Sequence, residues 1–257
     1  MSHQKTSFPT IWKPGKFLIV ALIFLLLVSG CMQKPSAEDI IIESIQMHGV
    51  KDLFDKNISF NFRGRDYSGR FEEHSFTFQR LSGDSLTDIY SSDGFTRILY
   101  GDTVSVPEEA EKRFSNSINS VLYFALLPYK LDDPAVNAEY TGKTKIDGQN
   151  YFEVKITFSQ SGGGEDYEDI FCYWFHDDTF RMDYLAYLFH TNQGGTRFRK
   201  AVNQRMVNGI LFSDYENFKG PFPFEVCDLD SLYQEGALEK VSEINLTNIQ
   251  VQDLMLK

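Results

Sequence analysis

Nothing in this sequence is long and apolar enough to cross a bilayer as a helix. Its unbroken apolar run, residues 17–28, has twelve residues, whereas a spanning helix needs roughly 20. Positive charge is in short supply: 25 Lys and Arg stand against 36 Asp and Glu, a formal net charge of −11. That balance argues against nucleic acid as a partner and against electrostatic adhesion to anionic lipid. The nucleophile elbow G-x-S-x-G, the metalloprotease H-E-x-x-H and the phosphate-binding P-loop are all missing, so no motif recommends a catalytic chemistry. No cysteine pair has zinc-ligand spacing. There is no long internal repeat and no low-complexity tract. Strands do not alternate with helices, which excludes a parallel (β/α) barrel enzyme.

What is present begins with an address. Lys5, Lys13 and Lys16 precede the apolar run, and Val28-Ser29-Gly30-Cys31 places small residues before a thiol. This is the layout of a lipoprotein signal, in which Cys31 is acylated at the cleavage junction. Each buried acyl methylene then contributes about 0.8 kcal/mol to anchoring. The other reading is an ordinary secretory signal with a chance cysteine. On the lipoprotein reading, residues 1–30 are removed, 31–36 form a lipidated tether and 37–257 form the folded domain. Loss of three lysines and no acid takes the net charge from −11 to −14, so membrane contact must come from the anchor. Met32 and Gln33 lack the aspartate that retains many Gram-negative lipoproteins in the inner membrane. The expected location is therefore the outer membrane, with either face open.

The folded part reads as mainly β, with two helices. Ser36 is an N-cap, Glu38 and Asp39 occupy the first turn, Ile41, Ile45 and His48 repeat at helical spacing, and Gly49 ends the helix. The period then drops to two: Ile58, Phe60 and Phe62, then His74, Phe76 and Phe78, with further strands near 86–91 and 95–100. A second helix over 107–127 has Pro107 in its first turn, three glutamates after it and Pro128 beyond its end. Its apolar stripe of Ala110, Phe114, Ile118, Val121, Leu122, Ala125 and Leu126 must cover something apolar. The remainder is again β: hairpins at Asp147-Gly148 and Asn208-Gly209, strands at 170–175 and 181–189, a loop at 220–236 and a last strand at about 239–250.

Three segments carry candidate chemistry. The strands Ile170-Phe171-Cys172-Tyr173-Trp174-Phe175 and Tyr184-Leu185-Ala186-Tyr187-Leu188-Phe189 are apolar on both faces and must be covered on both, by a ligand or by a thick core. Glu165, Asp166, Glu168 and Asp169 follow a triglycine and are candidates for a calcium-type oxygen site, or simply a solvated loop. Arg197 and Arg199, on one side of a strand near His190, could grip a carboxylate or phosphate, or pair with the 165–169 acids across the sheet. His190, Arg197 and Glu165 are also the best groups for an enzyme, although no constellation assembles them. No cofactor is implied. Cys172 and Cys227 form a disulfide or remain two buried thiols.

Four segments together, Leu131-Asp132-Asp133-Pro134-Ala135-Val136, Gly162-Gly163-Gly164-Glu165-Asp166, Asp183-Tyr184-Leu185-Ala186-Tyr187 and Gly194-Gly195-Thr196-Arg197-Phe198-Arg199, resemble a family of Gram-negative lipoproteins of unknown function. The resemblance covers roughly residues 37–250. It implies a fold similar to the lipoprotein carrier LolA and its receptor LolB: a curved antiparallel sheet, an unclosed β-barrel, plugged by a helix. With the apolar stripe and the two apolar strands, it implies a lipid, acyl-chain or lipoprotein ligand between sheet and helix. Phe114, Ile118, Leu122, Trp174, Tyr184, Tyr187, His190, Arg197 and Arg199 are then the expected contacts. The alternatives are a structural or surface lipoprotein without a cavity, and an enzyme of unidentified class.

Overall fold

The computed structural model describes residues 34–51, 53–54, 56–72, 75–161, 167–190 and 193–254. The leader, Cys31, Glu165 and Asp166 lie outside the described residues. Helix α1 (Ala37–Met47) starts at a capping box: the Ser36 hydroxyl accepts from the Asp39 N–H at 3.1 Å, and the Asp39 carboxylate accepts from the Ser36 N–H at 3.2 Å. Two orphan amides are thereby satisfied where the helix begins. Ile40, Ile41 and Ile45 are buried along one face.

Fourteen strands among the described residues form two seven-stranded antiparallel sheets. The first sheet holds β1 (Lys56–Phe62), β2 (Arg65–Phe71), β3 (Phe76–Ser82), β4 (Leu86–Ser91), β5 (Gly94–Leu99) and β6 (Asp102–Val104), with β14 (Thr247–Asp253) beside β1. The second holds β7 (Val136–Ile146), β8 (Gln149–Phe158), β9 (Ile170–His176), β10 (Met182–Phe189), β11 (Gly195–Val207), β12 (Ile210–Lys219) and β13 (Glu239–Ile244). Every pairing except β1 with β14 joins sequence neighbours, and β6 and β14 of one sheet and β7 and β13 of the other are unjoined edges, so the barrel is unclosed. Helix α2 (Glu108–Ala125) links β6 to β7. At the other end Asn245 and Leu246 carry the chain from β13 into β14. Asp214 secures that crossing by accepting from the Leu246 N–H at 2.8 Å and from Arg205 at 3.0 Å.

The expected antiparallel, mainly β architecture is present, with differences of detail that have clear causes. Strand β2 escapes sequence reading because Arg65, Asp66, Ser68 and Arg70 outnumber its inward residues Tyr67, Gly69 and Phe71. Edge strand β6 is three residues long, too short for a periodic signal. The single last strand expected at 239–250 is two strands, one in each sheet. The 220–236 segment is no plain loop. It contains a 3₁₀ turn (Val226–Asp228) and helix α3 (Leu229–Gln234). Pro107 is the N-cap of α2 rather than a first-turn residue.

The C-terminal end of α1 is locked against the β11–β12 turn. Gly49 sits at φ +68°, and a Cβ there would fall 1.7 Å from the Gly209 carbonyl oxygen, so only glycine fits. The neighbouring His48 carbonyl accepts from the Leu211 N–H at 2.9 Å. The His48 ring is only 1% exposed. Its Nδ1 lies 2.8 Å from the Ser44 carbonyl oxygen, which makes Nδ1 the protonated nitrogen of the neutral ring. Burial holds the His48 pKa down at about 4, against the opposing pull of the Ser44 carbonyl and Asp183. An unfolded chain takes up this proton near the ordinary histidine value of 6.5. The neutral ring therefore contributes its full stability above about pH 6.5, and that contribution is lost as pH falls towards 4. A shift of this size corresponds to about 3 kcal/mol. Urea midpoints measured between pH 7 and 4.5 should fall steadily in wild type and more shallowly in His48→Gln. Equal slopes would remove His48 from the account.

Candidate functional site

Helix α2 is held on one flank and open on the other. Its close backbone approaches are to β2, β3, β4 and β5 of the first sheet. There Ile118 and Leu122 are fully buried. Leu122 lies over Gly69, where a Cβ would come within 3.0 Å of its Cδ1. The first half of the helix rests on an ion cluster. Arg80, Asp88 and Arg97 are register partners on three adjacent strands. Asp88 accepts from Arg80 at 2.6 Å and from Arg97 at 2.6 and 3.0 Å. Arg80 also donates to the Ser117 hydroxyl at 3.0 Å, and the Phe114 ring stacks on Arg97 at 3.9 Å. Burial pushes the Asp88 pKa up, but the hydrogen bonds and charges of Arg97 and Arg80 prevail and hold it below the usual carboxylate value.

The other flank of α2, carrying Ser120, Val121, Tyr123 and Phe124, lines two cavities that reach the second sheet. The larger is a cleft of about 880 Å³ between the helix, the β4–β5 end of the first sheet and β8–β11 of the second. Phe95, Tyr123, Phe124, Phe158, Phe171 and Phe189 supply its apolar wall, while Glu108, Glu111, Lys112, Asp169 and Arg197 supply charge. The Tyr123 hydroxyl lies 3.5 Å from that of Tyr173. Burial pushes Tyr123 up to about 12 and Tyr173 well above its ordinary value, so both hydroxyls stay neutral near pH 7. The smaller cavity, about 230 Å³, is bounded by Phe62, Val121, Phe124, Ala125, Ile244 and Leu246, with Arg199, Tyr215 and Asn217 from the second sheet.

Phe124 and Ser120 line both cavities. Arg199 lies 4.2 Å from the Phe124 ring and donates to the Tyr187 hydroxyl at 2.7 Å. Tyr187 is the register partner of Arg197, so Arg199 reaches it along the diagonal that long side chains can span.

The residues expected to meet a ligand divide three ways. Tyr187 and Arg197 line the cleft and Arg199 the smaller cavity. His190 lies near the cleft, its Nδ1 3.5 Å from Asp169. Ile118 and Leu122 are fully buried on the first-sheet side, and Phe114 covers the ion cluster instead of lining either cavity. Trp174 and Tyr184 are on the far face of the second sheet. Strand alternation separates them from Phe171, Tyr173, Leu185 and Tyr187. Their cover is the 226–233 segment, pinned by a disulfide between Cys172 and Cys227 with a Cα–Cα distance of 5.3 Å. Both faces of β9 and β10 are therefore covered, the outer one by this stapled segment. Sequence reading missed Phe124, Tyr215 and Asn217. Only Phe124 left a trace, one step off the helix stripe.

Glu165 and Asp166, two of the four acids with which the arginines were expected to pair, lie outside the described residues. Among the described residues, Arg197 donates to the Thr196 carbonyl at 2.8 Å and lies 5.2 Å from the Phe189 ring. Glu168 accepts only a 3.4 Å contact from Tyr167, and neither Glu168 nor Asp169 belongs to a cluster of three metal-type ligands among the described residues. His176, Asp177 and Asp178 do cluster, but Asp177 pairs with Lys143 at 2.9 Å and His176 Nδ1 accepts the Asp178 N–H.

No curated protein matches the chain. Among solved structures, it is similar to a DUF1329 family protein from Desulfovibrio piger, at 14% identity and a TM-score of 0.51, over 87% of this chain and 96% of that one. It is also similar to a LolA superfamily protein from Nitrosomonas europaea, at 9% identity and a TM-score of 0.44, over 86% of this chain and 93% of that one. Identities this low speak to fold alone. The sequence resemblance is to a family, and there the match is direct: the model of DUF6503, a family of unknown function, spans residues 16–246, and the chain belongs to that family.

Proposed function

We propose that this protein is a lipid-anchored envelope protein that binds an apolar chain, from a lipid or an acylated protein, in the cleft between α2 and the second sheet. The cleft itself carries the reading. Its volume of about 880 Å³ falls within the roughly 300–1,000 Å³ of small-molecule sites. Aromatic walls with charge beside them suit a ligand with a long apolar part, each buried methylene contributing about 0.8 kcal/mol. One wall, α2, is fixed to the first sheet and meets the second largely through side chains. An apolar chain can then enter by displacing side chains while the backbone stays in place.

Ser120 is exposed and borders both cavities, so Ser120→Trp fills the cleft without removing a core contact. Mass spectrometry of the full chain from native membranes is expected to show a co-purified lipid in wild type. The tryptophan variant should lose it at least tenfold at an unchanged melting temperature. No lipid in wild type, or equal lipid in the variant, would overturn the reading. Cys31 is the proposed anchor, and Cys31→Ala should release the protein from the membrane fraction. The outer membrane is the proposed destination.

A further inference from the structure

The smaller cavity combines apolar walls with two cations and no acid. Among the described residues its lining includes Arg63 and Arg199 but neither an aspartate nor a glutamate, in a chain with an excess of eleven negative charges. Arg63 is exposed, at the β1–β2 turn. Arg199 is 9% exposed and forms no ion pair among the described residues. Among the described residues its side chain donates to the Tyr187 hydroxyl alone, and its Nε has no partner. Its register partner across β12 is Asn217, itself 8% exposed. The Asn217 Nδ2 donates to Ser242 at 3.0 Å, and its Oδ1 has no partner.

A buried guanidinium without a counter-charge is costly, and so is a buried amide oxygen without a donor. If this position served packing alone, a leucine or methionine would fill it at lower cost. Arg199 and Asn217 stand opposite each other on adjacent strands, both residues border one cavity, and each holds one buried atom without a partner, so that together they describe half of a recognition site. The missing half must offer anionic oxygen to the Arg199 guanidinium, with Asn217 beside it on the next strand. At about 230 Å³ the space suits a head group, and the cleft beyond Phe124 suits the chain attached to it.

We infer that Arg199 and Asn217 form a head-group subsite that selects amphiphiles with an anionic head. This rests on the apolar-chain reading of the cleft and adds the charge class of the ligand. A carboxylate and a phosphodiester share that chemistry, and a guanidinium fork accepts either in bidentate fashion.

The test compares palmitate with its uncharged methyl ester, and lysophosphatidylglycerol with lysophosphatidylcholine, on the full chain held in amphipol. Wild type should bind the anionic member of at least one pair tenfold or more tightly. The pair that shows it identifies the head as carboxylate or phosphodiester. In Arg199→Met, a change of similar length without charge, that ratio should fall to near one. Arg199→Lys should retain part of it, which a purely structural role would not produce. Binding of both members of each pair with equal affinity would overturn the subsite and leave the cleft reading intact. Binding of none would overturn both. Selectivity that persists in Arg199→Met would exclude Arg199 as its source.

Discussion

Replacing Asp88 with alanine should destabilise the domain by about 3–5 kcal/mol, the cost of removing one partner from a buried ionic cluster. Asp88 is 1% exposed and Arg80 5%, so the change strands Arg80 in a place water barely reaches. Coulomb attraction to Asp88 is what makes two facing guanidiniums tolerable under a helix. Without it their mutual repulsion adds to the desolvation of each. Asp88→Asn keeps the shape and some hydrogen bonding and should fall between wild type and alanine. Urea unfolding measures both, and a loss under about 1 kcal/mol for alanine would show the cluster to be effectively solvated. The effect should reach the cleft, because Ser117 and Phe114 tie α2 to this cluster. A loosened helix holds its Phe124 wall less firmly, so lipid retention should fall at temperatures where the domain is still folded.

The second large effect is expected from the disulfide. Cys172 and Cys227 close a loop with a sequence separation of 55, for which loop-closure entropy gives about 4 kcal/mol. For a domain of this length that is a melting-temperature drop of roughly 10 °C on replacing both cysteines with alanine. The loss should be local first. The 226–233 segment covers Trp174, Tyr184 and Phe198, so its release wets the outer face of β9–β11 before the sheets separate. Tryptophan emission should then shift to the red at temperatures where far-ultraviolet circular dichroism is unchanged. Coincident transitions by the two probes, or a stability loss below about 1 kcal/mol, would show that packing alone holds the segment. The inner face, with the cleft, should be the last part to respond.

Much of this architecture was legible from residue order. Ser36 with Asp39, Asp147-Gly148 and Asn208-Gly209 announce a helix start and two hairpins because their chemistry is local. A side chain caps an amide three residues away, and two residues at positive φ turn a strand back on itself. The period-two runs of Phe60 and Phe62 or Phe76 and Phe78 likewise needed only the pleat. Family resemblance then supplied the unclosed sheet, and the apolar stripe of α2 announced a covering helix.

The partner that each apolar surface meets was decided only in three dimensions. Trp174 and Tyr173 are adjacent and both fully buried, yet one belongs to the disulfide-stapled outer face and the other to the inner core beside α2. Sequence alternation separates the two faces without saying which of them holds the helix. Arg80, Asp88 and Arg97 are charged residues of a kind seldom buried. They are inward because register brings three charges together and lets them compensate one another, a condition that no single strand can reveal. Arg199 is the complementary case. Its strand could be anticipated, and so could its sharing a face with Arg197. Its burial beside a cavity with no acid to meet it depends on where α2 places Phe124, and that follows from Leu122 resting on Gly69 some 50 residues away in the chain.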